Sequence, residues 1–184
     1  MNIMMLLEMA ASGLGDRVAI GSLADGLTYQ QLFDRSGSAA AHFKADDAEH
    51  VVLCDESSAA VPIALFGSAW AGLPYVPLNY RLPDDDLRAL AERTDPAVAI
   101  ADHSGVERLT PVAGISTVER HSFLDACASG ATLADSWSMD ADDIAVLLFT
   151  SGTTGAPKSA VLRHKHLVSY ILNSVEFMGA GDDE

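Results

Sequence analysis

Residues Ile144 to Leu167 read IAVLLFTSGTTGAPKSAVLRHKHL. Ile144 to Phe149 is an unbroken apolar run of strand length, which predicts a buried strand. Thr150-Ser151-Gly152-Thr153-Thr154-Gly155-Ala156-Pro157-Lys158 follows, a loop with four hydroxyls, two glycines and a closing lysine. A short apolar segment and a basic turn come next, and a helical pattern starts near Leu167. Such a loop suits phosphate. Glycine lets the backbone approach a ligand closely. Successive N–H groups in a turn form an anion-binding concavity. Hydroxyls add donors, and a lysine adds a mobile positive charge.

The string is not a Walker A loop, which places Gly directly before Lys. Pro157 holds that place and has no N–H to offer. For an arbitrary Ser/Thr/Gly segment, a surface turn with a solvated lysine is the commoner outcome.

The chain has 184 residues, enough for one domain with a core. It is 49% hydrophobic and 20% charged, which is a globular composition. Its net charge of −15 argues against non-specific binding to nucleic acid or an anionic membrane. Lys158, Arg163 and Lys165 nevertheless fall within eight positions beside the loop. They form a local basic patch for a polyanion or, more simply, solvated charges at a helix start. Cys54 and Cys127 are too far apart in sequence to suggest a metal site or a disulfide framework, so a reducing cytoplasm fits. Cys54, in the run VVLC, reads as a small buried hydrophobe. His164 and His166 read as exposed helix-start residues rather than metal ligands.

MNIMMLLEMAASG has no early basic residue, and Glu8 interrupts it, so a short amphipathic helix is expected rather than a signal peptide. Ala59 to Tyr80 carries no charge, but prolines and glycines punctuate it. It reads as a core helix capped by Ser57 or Ser58 and ended by Gly72, then a strand at Tyr75 to Leu78. Further strands are expected at Arg17–Ser22, at VVLC, at Ala97–Ala101, and at Ile115–Val118. Helices are expected from Thr28 to Phe43, after Pro83, and over His121–Ala128. Asp84–Asp86 sit where a helix dipole favours acids, with a metal site as the sharper alternative. Residues 102–113 are expected to be irregular, and 129–143 a polar connection. The alternation of apolar strands with helices predicts an α/β fold: a largely parallel sheet with helices on both faces. Ligands in such sheets bind beyond the carboxyl ends of strands, where the loop after Phe149 lies.

TSGTTGAPK resembles the phosphate-binding signature of the adenylate-forming superfamily: acyl-CoA synthetases, adenylation domains of peptide synthetases and beetle luciferases. DRVAI followed by LTYQQL resembles the opening of these enzymes, and WAGLPYVPLNYRLPDDDL resembles their second shared segment. The PLN wording, ending in Asn79, is closer to acyl- and aryl-CoA synthetases. The resemblance implies an N-terminal part of the family's large domain, spanning residues 1–184, with the C-terminal domain absent. It also implies a two-step reaction. A carboxylate attacks the α-phosphorus of Mg·ATP to give an acyl-adenylate and pyrophosphate, and the thiol of CoA then displaces AMP. Thr150, Ser151, Gly152, Thr153, Thr154, Gly155 and Lys158 would bind the ATP phosphates, and no catalytic or metal-ligating residue is assigned within the chain.

Two positions depart from the pattern. Ser159 stands where the family usually has Gly, a strain if positive φ is required. Arg163 stands where Ser or Thr often caps the next helix. The expected function is the N-terminal part of a fatty acid–CoA ligase, inactive alone. The alternatives are a fatty-acyl-AMP ligase, a peptide-synthetase adenylation domain, or a non-catalytic module that binds nucleotide or a partner. No transmembrane segment and no nucleic-acid partner are expected. A homodimer is left open.

Overall fold

The computed structural model describes residues 1–130, 136–150 and 158–174. Helix α1 (Met4–Leu14) buries Met4, Leu7 and Ala11, which share one face at helical spacing. The Asn2 carboxamide oxygen accepts from the Met4 amide at 3.0 Å and serves its first turn. Strands β1 (Val18–Ile20) and β2 (Leu27–Thr28) pair antiparallel in a small sheet of their own. The strand expected at Arg17–Ser22 is thus shorter and lies outside the main sheet. Gly21 at φ 93° and the Asp25-Gly26 turn send the chain straight back.

Helix α2 (Tyr29–Ala45) starts with a capping box. Thr28 Oγ1 accepts from the Gln31 amide at 3.2 Å, and Gln31 Oε1 accepts from the Thr28 amide at 2.9 Å. Strand β3 (His50–Cys54) leads to helix α3 (Ala60–Ala71). The helix begins after both serines expected to cap it. Ser58 still contributes, because its hydroxyl accepts from the Ala60 amide at 3.3 Å. Gly72 ends α3 in the left-handed conformation, φ 77°, as a C-terminal glycine should.

Strand β4 (Tyr75–Pro77) precedes helix α4 (Asp84–Ala91), whose first turn holds Asp84, Asp85 and Asp86. A 3-10 turn at Glu92–Thr94 leads to strand β5 (Ala97–Ala101). Residues 102–113, expected to be irregular, contain helix α5 (His103–Leu109). Asp102 caps it by accepting from the Gly105 amide at 2.7 Å. Strand β6 (Ile115–Glu119) and helix α6 (Arg120–Ser129) follow, with Glu119 capping α6 through the His121 and Ser122 amides. Strands β7 (Ile144–Thr150) and β8 (Lys158–Arg163) and helix α7 (His164–Ser174) complete the described chain.

The main sheet has the order β6-β5-β3-β4-β7-β8, parallel throughout except for the antiparallel β7–β8 pair. Alternate strand residues feed two cores. Val51, Leu53, Val98 and Ile100 pack with α1, α2, α3 and α6. Val52, Cys54, Val76 and Ala99 pack with α4 and α5 on the other face. Ala145 and Val146 break the alternation by joining the same core, where the β7–β8 register shifts between Ile144 and Val146. Cys54 and Cys127 are buried, and loss of solvation pushes their thiols up to about 11 and about 12. Trp137 ties the connection before β7 to the core, with its ring 5.1 Å from Trp70 and 6.2 Å from Phe33.

Helices α2 and α3 approach closely at Gly67. A Cβ there would sit 2.7 Å from the Ala39 Cβ and 3.2 Å from the Ser36 carbonyl oxygen. Gly67→Ala gains about 1 kcal/mol of helix propensity but forces the two backbones apart, at about 1–3 kcal/mol. The steric term wins because neither neighbour is a flexible chain end. Urea denaturation should show Gly67→Ala less stable than wild type by about 1 kcal/mol; a gain in stability would show that the helices separate freely.

Candidate functional site

The β7–β8 ladder runs from Ile144↔Arg163 to Thr150↔Lys158. Its last rung brings together two of the residues picked from the sequence. Thr150 Oγ1 donates to the Lys158 carbonyl oxygen at 3.2 Å, and both residues are exposed. The lysine therefore stands at the base of the hairpin, directly across from the residue that opens the loop. Ser151, Gly152, Thr153, Thr154 and Gly155 lie outside the described residues.

The base stands at the carboxyl edge of the parallel strands, since β4 and β7 pair parallel through Tyr75↔Val146. A cleft of about 160 Å³ opens there between Pro77, Leu78, Asn79, Leu82 and Leu90 on one side and Phe149 and Thr150 on the other. It is mainly apolar, with Asn79 and Thr150 as polar ends. The guanidinium of Arg93 lies 4.7 Å from the centre of the Phe149 ring. A larger, open cleft of about 440 Å³ lies between the β1–β2 turn and the start of α3. Of the two described ends of the loop, Thr150 and Lys158, neither lines it, whereas Thr150 lines the smaller cleft.

Ser159 does not need the conformation feared from sequence. It is paired with Phe149 in the ladder, and Asp47 is the non-glycine residue with positive φ among the described residues. No glycine is required at position 159. Arg163 is likewise compensated at the start of α7. The His166 Nδ1 accepts from the Arg163 amide at 3.1 Å, doing the work of a returning capping side chain.

The basic patch divides. Arg163 donates to the Asp142 carbonyl oxygen, and Lys165 pairs with the Asp142 carboxylate, holding that carboxyl below its usual range. The Lys165 and His164 amides bond to the Ala141 and Asp143 carbonyl oxygens. Arg163 and Lys165 thus fasten the start of α7 to the turn before β7, and Lys158 is the member of the patch that stands at the loop. His164 is also corrected: it is buried, not exposed, at 2% accessibility. Its Nδ1 accepts from the Ile3 amide at 3.5 Å.

Three features were missed in the sequence. Asp55, directly after β3, has an enclosed carboxylate that accepts from Arg120 Nη1 at 2.9 and 3.2 Å and from the Glu56 amide at 2.7 Å. Arg108 reaches the turn after β4, and Arg93 covers Phe149. These contacts cross 65, 24–28 and 56 positions of chain, and the single sequence carries no signal of such pairing. Among the described residues, no three His, Cys, Asp or Glu side chains are grouped to hold a metal ion. No helix among them is long and apolar enough to cross a membrane.

The model of the family described as AMP-binding enzyme matches residues 7–183. The chain belongs to that family. It is 30% identical over 200 residues to a medium/long-chain-fatty-acid–CoA/3-oxocholest-4-en-26-oate–CoA ligase of Mycobacterium tuberculosis, covering 96% of this chain and 36% of that one. It is 27% identical over 161 residues to a D-alanine–D-alanyl carrier protein ligase of Staphylococcus haemolyticus, covering 84% and 30%. The fold superposes on ATP-bound MatB from Rhodopseudomonas palustris with a TM-score of 0.78 and 28% identity, over 94% of this chain and 37% of that one. The chain thus spans about a third of the length of these relatives. The largely parallel α/β sheet expected from the alternating strands and helices is observed, and the resemblance to the N-terminal portion of an adenylate-forming enzyme is borne out.

Burial holds the His164 imidazole below its ordinary value of 6.5, against an opposing pull from Asp143. A folded-state pKa below the unfolded one means that protonation favours unfolding. Its contribution to stability is complete above about pH 6.5 and is lost as pH falls from there through the folded-state pKa. Denaturation of wild type and His164→Gln at pH 7.5 and 5.5 should show a smaller acid loss in the variant. Equal losses would contradict this placement of His164.

Proposed function

We propose that this chain supplies the phosphate-binding part of an ATP-dependent acid–thiol ligase that works through an acyl-adenylate, with a fatty acid as the carboxylic acid and CoA as the acceptor. The observation that carries the reading is the closure of the TSGTTGAP loop by the Thr150–Lys158 rung at the carboxyl edge of the sheet. A carboxylate oxygen attacks the α-phosphorus of ATP, and the bond to the bridging oxygen of pyrophosphate breaks. Negative charge grows on the departing pyrophosphate. The Lys158 ammonium and the donors of Thr150, Ser151, Thr153 and Thr154 meet that charge, while Gly152 and Gly155 allow the backbone to approach. Donors fixed in advance lower the barrier because they need no rearrangement as charge develops. Magnesium arrives with ATP, and no residue of this chain is assigned to it.

The acid and the acceptor rest on the fatty-acid relative and on Asn79 in the PLN segment. The carrier-protein ligase relative supports the second reading, in which the acyl group passes to a carrier protein as in peptide-synthetase adenylation domains. A third reading, a non-catalytic nucleotide- or partner-binding module, is motivated by Ser159 and by the chain's length against its relatives; the first of these motives weakens, because Ser159 sits unstrained in β8. The composition and the buried thiols suit a cytoplasmic setting.

We propose further that residues 1–184 on their own do not complete adenylation, because the relatives use about three times this length. Acid-dependent ATP–pyrophosphate exchange should be undetectable with the isolated chain across carboxylic acids from acetate to long-chain fatty acids. Extended to the relatives' length, the protein should release a CoA thioester. Exchange by the isolated chain would overturn the first expectation, and transfer only to a carrier protein would replace CoA as the acceptor.

A further inference from the structure

Resting on the phosphate-loop reading, we infer that Arg108 is a positioning residue that sets the turn after β4 as a fixed wall against the base of the loop. The turn comprises Asn79 to Leu82. By itself it is weakly closed: the Leu82 amide bonds to the Asn79 carbonyl oxygen at 3.1 Å, and the Arg81 amide to Asn79 Oδ1 at 3.0 Å. These bonds span three and two positions, and both use oxygens of Asn79 rather than the Tyr80 or Leu82 carbonyl oxygen.

Arg108, on α5, takes both. Its Nη1 donates to the Tyr80 carbonyl oxygen at 2.7 Å, and its Nη2 donates to the Leu82 carbonyl oxygen. Its Nε donates to Asp84 Oδ1 at 2.6 Å, which reaches the first turn of α4. The Arg108 carbonyl oxygen is in turn held by Arg88 Nε at 2.8 Å. A planar guanidinium is suited to this, because its donors point in fixed directions and satisfy three acceptors at once. A lysine in the same place offers a single ammonium and cannot span them.

The wall matters because of what lies opposite. Leu78, Asn79 and Leu82 form one side of the cleft, and Phe149 and Thr150 form the other. Thr150 makes the rung to Lys158. A turn free to swing would change the width of this cleft and the surroundings of the loop's first residue without unfolding either core. Arg108 keeps 19% of its side chain accessible to solvent, and the polar atoms of its guanidinium are spent on the turn and on the first residue of α4. Its role is local geometry rather than global stability.

The test compares the whole chain with Arg108→Met and Arg108→Lys by amide hydrogen exchange and by titration with inorganic pyrophosphate, followed at the Thr150 and Lys158 amides. Losing charge-assisted bonds to two carbonyl groups should speed exchange at Arg81 and Leu82 by roughly tenfold or more, while Val98 and Ile100 in β5 keep wild-type rates. Pyrophosphate affinity should fall in both variants, and methylguanidinium added to Arg108→Gly should restore protection at Leu82. Wild-type exchange at Arg81 and Leu82 in Arg108→Met would overturn the inference. So would uniform loss of protection that includes β5, or a loosened turn with unchanged pyrophosphate affinity. If wild type itself shows no pyrophosphate response, the phosphate reading fails, and the exchange rates still decide whether Arg108 holds the turn.

Discussion

The antiparallel ladder between β7 and β8 is the constraint on which the candidate site depends. Five parallel strands share a direction, so their carboxyl ends lie along one edge. A parallel connection would carry the chain away from that edge through a crossover. The hairpin keeps it there, and the ladder places Lys158 across from Thr150 whatever the loop between them does. The lysine is therefore delivered by strand pairing rather than by the loop itself. Anything that slips this register by one residue turns Lys158 to the opposite face of the sheet.

The two cores serve that geometry. Strand residues alternate between a core with α1, α2, α3 and α6 and a core with α4 and α5. Because both faces are covered, the central strands β3, β4 and β5 are apolar apart from His50, and the carboxyl edge is left to carry polar work. There the polar residues divide the labour. Asp102 and Glu119 cap helices, Asp55 holds Arg120, Asn79 shapes a turn, and Thr150 meets Lys158. Most of these contacts are structural.

What could be read from the sequence follows from which forces are local. Ala97–Ala101 was legible to the residue because a short apolar run bounded by Pro96 and Asp102 has few other fates. The start of α2 was legible because Thr28 and Gln31 form a box within four positions. Helix α5 was missed although Asp102, Gly105, Val106 and Leu109 carry a cap and an apolar spacing, because the run is short and polar overall. The antiparallel sense of β8 was not written in its apolar pattern. Nor was the burial of His164, which depends on Ile3, 161 positions away. The worry over Ser159 came from reading one position against a family pattern, and strand pairing removes it. Of the site, residue types and order were legible. The clamping role of Arg108 and the pairing of Arg163 and Lys165 with Asp142 were not, since partners distant in sequence leave no local mark.

The most direct test of the central claim is calorimetry of Mg·ATP binding to residues 1–184 and to Lys158→Ala, after circular dichroism has shown both to be folded. The account predicts that wild type binds and that the variant loses most of this binding, because the hairpin base alone delivers the lysine to the phosphates. Equal binding by the two proteins, or none by a folded wild-type chain, would contradict it.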